Sequence, residues 1–168
     1  MRNLLVALNF QPMSFDLVEL PEFSCIGLEV EDWLSRCSEW IPKLWSEFVR
    51  REYELHHLDL QGHWGLMSDT EIHLAPWGGP KGRYLAGCRV PLGTLPFRDW
   101  KVWTIPGSTW LRIPCMAVDI PEVLNRTKAN IQNHPEWRLE GAVHESYPPG
   151  YTNNATDQLH LMLAVLPR

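Results

Sequence analysis

The stretch Cys37-Ser-Glu-Trp-Ile-Pro-Lys-Leu-Trp-Ser-Glu-Phe48 decides the fold class, because its apolar side chains recur at helical spacing. Such spacing forms an apolar stripe along one side of a helix, and the stripe must pack against another element. A second stripe follows Asp119, a candidate N-cap, and stops at Pro135. We therefore predict two amphipathic helices, near residues 38–54 and 120–134, each lying on a sheet.

Segments rich in β-branched, aromatic and alternating residues surround both helices and predict strands. They follow the order strand, helix, strand, strand, first over about residues 24–91 and again over about residues 109–166. Two tandem β-α-β-β units of this kind predict an α+β fold. We expect one antiparallel sheet, both helices on one face, and a ligand cleft between the helices around a pseudo-twofold axis. The predicted strands cover residues 15–20, 25–30, 64–67, 83–90, 101–105, 110–115, 137–147 and 159–166.

Length, charge and cysteine spacing limit what the chain can do. A chain of 168 residues has the length of one domain, so we treat residues 1–168 as a single domain. The net charge of −5 and the scattered basic residues give no basic face, so we expect no direct nucleic-acid binding. We expect no membrane span and no signal peptide, because the longest apolar runs are too short for either. The four widely spaced cysteines predict reduced, mostly buried thiols and a cytoplasmic protein.

The chain is rich in tryptophan, with nine residues spread along most of its length. A small core seldom needs so many, because each buried indole N–H requires a hydrogen-bond partner. The tryptophans are consistent with a tryptophan-rich core. They are equally consistent with a cavity walled by rings, which suits planar or cationic ligands.

The stretch Glu140-Gly-Ala-Val-His-Glu-Ser-Tyr147 carries the candidate chemistry. Side chains alternate along a strand, so Val143, Glu145 and Tyr147 share one face and His144 lies on the other. If the Val143 side faces inward, Glu145 is a buried carboxylate beside a phenol, and a cationic ligand could be its partner. If His144 faces inward, Glu145 is solvated. The strand by itself favours neither orientation.

Several short motifs follow one another along the chain: Phe15-Asp-Leu-Val-Glu-Leu-Pro-Glu-Phe23, Ile26-Gly-Leu28, Leu44-Trp45-x-x-Phe48, Ile105-Pro-Gly-Ser-Thr-Trp110 and Glu145-Ser-Tyr147. In order and spacing they resemble the GyrI-like, effector-binding domain family, found at the C-terminus of many drug-responsive transcription activators and also as stand-alone proteins. The resemblance spans about residues 15–166. It implies tandem β-α-β-β halves with a pocket between them for cationic hydrophobic ligands. We expect no helix-turn-helix before Phe15, as in a stand-alone member.

The resemblance also implies which residues bind the ligand. In the family, a glutamate in the penultimate strand, followed two residues later by a tyrosine, lies in the pocket, and Glu145 and Tyr147 match these positions. Trp110 and Tyr84 match aromatic positions of the family, and Trp45 matches a helix tryptophan that could equally be core. The predicted ligand-binding residues are Trp45, Trp64, Tyr84, Trp110, Glu145 and Tyr147.

Three functions stay open. The first is binding of a small hydrophobic or cationic, drug-like molecule, with no cofactor. The second is a small hydrolase in which Glu145, its pKa raised by desolvation, acts beside Tyr147 on a reactive xenobiotic. The third is an interaction protein with a partner such as gyrase. No metal is expected, because His56, His57 and His63 lack a Cys or carboxylate pair at zinc-like spacing.

Overall fold

The computed structural model describes residues 15–69, 74–148 and 158–168. Within these ranges, eight strands form one antiparallel sheet and two helices pack on it, which confirms the predicted α+β class. The strands are β1 (Asp16–Leu20), β2 (Phe23–Trp33), β3 (His63–Ser68), β4 (Lys81–Val90), β5 (Lys101–Ile105), β6 (Ser108–Met116), β7 (Trp137–Tyr147) and β8 (Gln158–Pro167), and the helices are α1 (Cys37–Arg51) and α2 (Ile120–Gln132).

The strand order β1-β6-β8-β7-β3-β4-β2-β5 shows two halves of the same layout. The units β2-α1-β3-β4 and β6-α2-β7-β8 follow the predicted repeat, and their strands mirror each other outward from the central pair β7–β3. β1 crosses the molecule to pair with β6, whereas β5 pairs with β2. The pairing of β3 with β7 joins the two halves into one continuous sheet, and β1, which precedes the first unit, extends the edge of the second.

Both helices lie on the same face of the sheet and turn their apolar stripes towards it. α1 buries Trp40, Leu44 and Phe48 against β2 and β4, and α2 buries Val123, Thr127 and Ile131 against β6 and β7. A 3-10 turn over Glu52–Leu55 continues α1. Asp119 stands at the N-cap position of α2, although its side chain makes no capping hydrogen bond.

The sheet is buried on both faces. The face that carries the helices, called the helix face below, holds one apolar cluster around α1 and another around α2, and Trp45 packs against both. The opposite face holds a third cluster, which includes Phe23, Trp64, Trp103 and Trp110. A sheet buried in this way has central strands with apolar residues on both sides, so their alternation does not identify a solvent face.

The cysteines are free thiols, as predicted, with Cys25, Cys88 and Cys115 buried and Cys37 partly buried. None of the helices in the described ranges is long and apolar enough to cross a membrane.

Candidate functional site

Glu145 lies where the two halves of the sheet meet, on the helix face of β7. The β7–β3 register places Gly65 directly opposite it. The Glu145 side chain is 6% exposed, so the inward orientation considered from the sequence is found. His144 is also buried, on the opposite face, where its ring centroid lies 5.3 Å from that of Trp110. Each face of β7 therefore buries a polar side chain.

Two tyrosines donate hydrogen bonds to the same carboxylate oxygen. Tyr84 Oη lies 2.6 Å and Tyr147 Oη 2.5 Å from Glu145 Oε2. Trp45 extends the network from α1, because its Nε1 donates to Tyr84 Oη at 2.9 Å. The Trp45 ring also packs edge-on against Tyr147, with centroids 4.9 Å apart. The network thus joins α1 and β4 of one half to β7 of the other.

Gly65 provides the space in which this network forms. A Cβ at this position would overlap Tyr84 Oη and would lie 2.6 Å from Glu145 Oε2. Any side chain here would push the phenol or the carboxylate out of place. The glycine is therefore required by the close approach of the site residues.

Burial sets the electrostatics of the site. Desolvation raises the pKa of Glu145 above its ordinary value, and the hydrogen bonds from Tyr147 and Tyr84 oppose this rise. Desolvation and the Glu145 charge raise the pKa of both tyrosines well above the usual range, so both stay protonated donors. Among the described residues, no ion pair includes Glu145. The carboxylate is hydrogen-bonded but has no counter-charge in that part of the chain.

The structure brings together four of the six predicted ligand-binding residues: Trp45, Tyr84, Glu145 and Tyr147. Trp64 and Trp110 belong to the cluster on the opposite face. Trp64 pairs with Ser146 and therefore points away from Glu145, and its ring packs 4.8 Å from that of Phe23. Trp110 is fully buried. Both tryptophans therefore lie across the sheet from Glu145, although Trp64 lines a cavity together with Tyr147, and their role in ligand binding stays a prediction.

A cavity of about 670 Å³ opens beside the network. Tyr147 forms part of its wall, together with Glu52, His63 and Cys88. Glu145 does not line this cavity, but Tyr147, which does, donates a hydrogen bond to its carboxylate.

Sequence reasoning missed a second group of side chains at this cavity. Glu52 Oε1 lies 2.7 Å from His63 Nε2, and the Cys88 thiol donates to the same oxygen at 3.4 Å. His56 and His57, the neighbours that the sequence suggested for His63, are exposed. The three residues form no sequence motif, because the β3–β4 register brings them together by placing His63 opposite Cys88.

The fold agrees with the one that the resemblance of the sequence motifs implies, two β-α-β-β halves in one antiparallel sheet. Among solved structures, the chain is similar to SAV2435 bound to tetraphenylphosphonium, with 15% identity and a TM-score of 0.70 over 92% of this chain and 94% of that chain. It is also similar to the EcmrR C-terminal domain, with 13% identity and a TM-score of 0.64 over 92% of this chain and 98% of that chain. An integron cassette protein from the mobile metagenome of Vibrio cholerae is similar as well, with 14% identity and a TM-score of 0.61 over 90% of this chain and 95% of that chain. No protein-family model and no curated protein match the sequence. At these identities the comparisons show the shared fold alone.

Proposed function

We propose that this protein binds a small lipophilic cation, with Glu145 as the counter-charge and Trp45, Tyr84 and Tyr147 as aromatic walls. The observation that carries the proposal is a buried carboxylate with hydrogen bonds but no ion-pair partner among the described residues. A buried charge is costly unless it is paired or neutralised. A bound cation would supply the missing pairing.

The aromatic side chains suit the same class of ligand. A cation over the face of an aromatic ring gains about 0.5–1 kcal/mol when exposed and about 2 kcal/mol when desolvated. The fold neighbour SAV2435, bound to tetraphenylphosphonium, supports this choice of ligand chemistry. The cation reaches Glu145 when a covering ring moves aside. Trp45 is the better gate, because it is partly exposed whereas Tyr84 and Tyr147 are buried.

The decisive experiment is a calorimetric titration with tetraphenylphosphonium and with the neutral triphenylphosphine oxide. We expect the wild-type protein to bind the cation and to bind the neutral compound far more weakly. Glu145→Gln should lose roughly 10²- to 10⁴-fold in cation affinity, because removing one member of a buried charge pair costs about 3–5 kcal/mol.

Glu136→Gln is the matched control. It removes one negative charge from an exposed position close in sequence to the same strand, so it should leave the affinity unchanged. Equal affinity of the wild-type protein and Glu145→Gln, or equal binding of the cation and the neutral compound, would contradict the proposal.

A hydrolase acting through Glu145 is the second candidate, and the raised pKa of Glu145 favours it. A carboxyl group with a raised pKa keeps its proton to higher pH and can deliver it to a leaving group, or, when ionised, take a proton from water. In that case Glu145→Gln would still bind its substrate but would lose about 10²- to 10⁴-fold in turnover. Product analysis on any compound that binds separates the two functions.

A further inference from the structure

We propose that Glu52, His63 and Cys88 form a three-ligand site for Zn²⁺ or a similar borderline-soft divalent metal, separate from the Glu145 network. Their ligating atoms, a carboxylate oxygen, an imidazole nitrogen and a sulfur, all lie within 4.8 Å of one another. This donor set suits zinc and other late transition metals. It does not suit Mg²⁺ or Ca²⁺, which take oxygen ligands.

The backbone places the three ligands from three elements. His63 at the start of β3 lies directly opposite Cys88 of β4, so their side chains share one face of the sheet. Glu52 comes from the 3-10 turn Glu52–Leu55 that continues α1. Convergence from three elements holds the donors together without relying on one flexible loop.

The distances are close to those of a tetrahedral metal site. Ligand atoms bound to zinc at about 2.0–2.3 Å lie roughly 3.3–3.6 Å from one another. Cys88 Sγ and Glu52 Oε1 are 3.4 Å apart, and Glu52 Oε1 and His63 Nε2 are 2.7 Å apart. The third pair, Cys88 Sγ and His63 Nε2, lies within 4.8 Å, so side-chain adjustments at more than one ligand would bring all three donors to zinc-binding distances.

Charge balance and packing also favour a metal. One carboxylate and one thiolate neutralise a divalent ion, with the imidazole neutral, and a neutral complex suits a partly buried position. The His63 ring is held edge-on by Phe48, with centroids 5.7 Å apart, and by Trp45 at 6.3 Å. Such packing fixes the orientation of a ligand before the ion binds.

The cavity determines what kind of metal site this is. All three ligands line the cavity of about 670 Å³, so the fourth coordination position faces open space. Three protein ligands with an open fourth position are typical of zinc sites that bind water or a small molecule. Tyr147 lines the same cavity and contacts Glu145, so this metal would lie next to the cation site.

The competing explanation is a metal-free trio in which both His63 and Cys88 donate to Glu52. Titration of the full chain with Co²⁺ under reducing conditions distinguishes the two. We expect one Co²⁺ per chain, a sulfur-to-cobalt charge-transfer band, and displacement of that band by Zn²⁺. Cys88→Ser should abolish the band and weaken Zn²⁺ binding by roughly a hundredfold or more, because loss of outer-shell partners alone costs about 10–100-fold.

Two cysteine variants serve as controls. Cys37→Ser removes a partly exposed thiol and Cys115→Ser removes a buried one, and both should keep the band and the affinity. Because a buried substitution such as Cys88→Ser can impair folding, Glu52→Gln provides a second test at a less buried position. It should also weaken Zn²⁺ binding by at least about tenfold.

Absence of stoichiometric binding, or a band that survives Cys88→Ser, would overturn the proposal and leave the hydrogen-bonded trio. The two proposals are tested independently. Glu145→Gln should bind Zn²⁺ as the wild-type protein does, and Cys88→Ser should bind tetraphenylphosphonium as the wild-type protein does.

Discussion

On the helix face of β7, Glu145 accepts hydrogen bonds from Tyr84 and Tyr147 and has no ion-pair partner among the described residues. On the opposite face, the preceding residue, His144, accepts the Met67 backbone N–H through its Nδ1 at 3.1 Å and packs against Trp110. Both polar side chains are buried. His144 completes the backbone hydrogen bonding of β3, whereas Glu145 leaves a charge to be balanced. Both faces of β7 bury a polar group, so burial does not distinguish them. The candidate binding face differs from the His144 face because its carboxylate lacks a counter-charge among the described residues.

The largest effect that tests this distinction is expected for Trp110→Ala. Removing a fully buried tryptophan should lower the free energy of unfolding by about 3–5 kcal/mol, as measured by urea denaturation. Cation affinity should stay close to wild type in the folded fraction, because the sheet separates Trp110 from Glu145. Glu145→Gln should show the reverse pattern, with affinity lost and a smaller loss of unfolding free energy, because the glutamine carbonyl oxygen can still accept from the phenols.

Trp110→Phe is a milder version of the same test. Trp110 Nε1 has no hydrogen-bond partner in the described part of the chain, so phenylalanine loses only packing volume. A folded Trp110 variant that no longer binds tetraphenylphosphonium would show that both faces contribute to the site.

The sequence was sufficient to predict the fold because each signal was local. The helices predicted near residues 38–54 and 120–134 correspond to α1 and α2, and the predicted strands correspond to β1 to β8. Apolar residues at helical spacing identify a segment as an amphipathic helix, and the repeated order of helices and strands restricts the sheet topology.

The site was predicted only in part, because the missing information is the register between distant strands. Glu145 and Tyr84 are 61 residues apart, and their assignment to one pocket followed from the family resemblance and not from spacing. Strands buried on both sides give no inward and outward pattern, so the sequence could not show that Trp64 and Trp110 lie across the sheet from Glu145. The cytoplasmic location, the lack of nucleic-acid binding and a partner such as gyrase remain predictions.

The next largest effect concerns the two phenols. Tyr84→Phe removes one donor to Glu145 Oε2 and the acceptor of Trp45 Nε1, whereas Tyr147→Phe removes the other donor. A hydrogen bond to a charged group contributes about 1.5–3 kcal/mol, so each variant should lose up to that amount on urea denaturation. Tyr84→Phe should lose more. Equal losses would indicate that the link to Trp45 contributes nothing.

A somewhat smaller effect is expected for Gly65→Ala. The added methyl group overlaps Tyr84 Oη, so the helix face must rearrange at a cost of roughly 1–3 kcal/mol. Cation affinity should fall in parallel, because the same shift displaces Glu145. Gly79→Ala is the matched control, since its Cβ would meet nothing closer than 4.0 Å. Unchanged affinity in Gly65→Ala would mean that the carboxylate is not held in place by this contact.

The smallest effect is expected in the pH dependence of stability, because burial and the two tyrosine hydrogen bonds shift the Glu145 pKa in opposite directions. The net shift is upward from 4.5, so the folded protein retains this proton to higher pH than the unfolded chain does. The resulting stabilisation is complete below about pH 4.5 and is lost as pH rises through the folded pKa.

Glu145→Gln cannot titrate, so the difference in unfolding free energy, wild type minus variant, should fall as the pH is raised from about 4 to about 8. Subtraction is necessary because Glu54 and Asp99, whose pKa values Arg51 lowers to about 2, add an opposite trend at the acid end in both proteins. Saturating tetraphenylphosphonium should flatten the difference, because the cation stabilises the charged carboxylate. A difference that rises with pH would show that Glu145 is already stabilised as an anion within the protein. Its face of β7 would then resemble the His144 face, with no charge left for a ligand to balance.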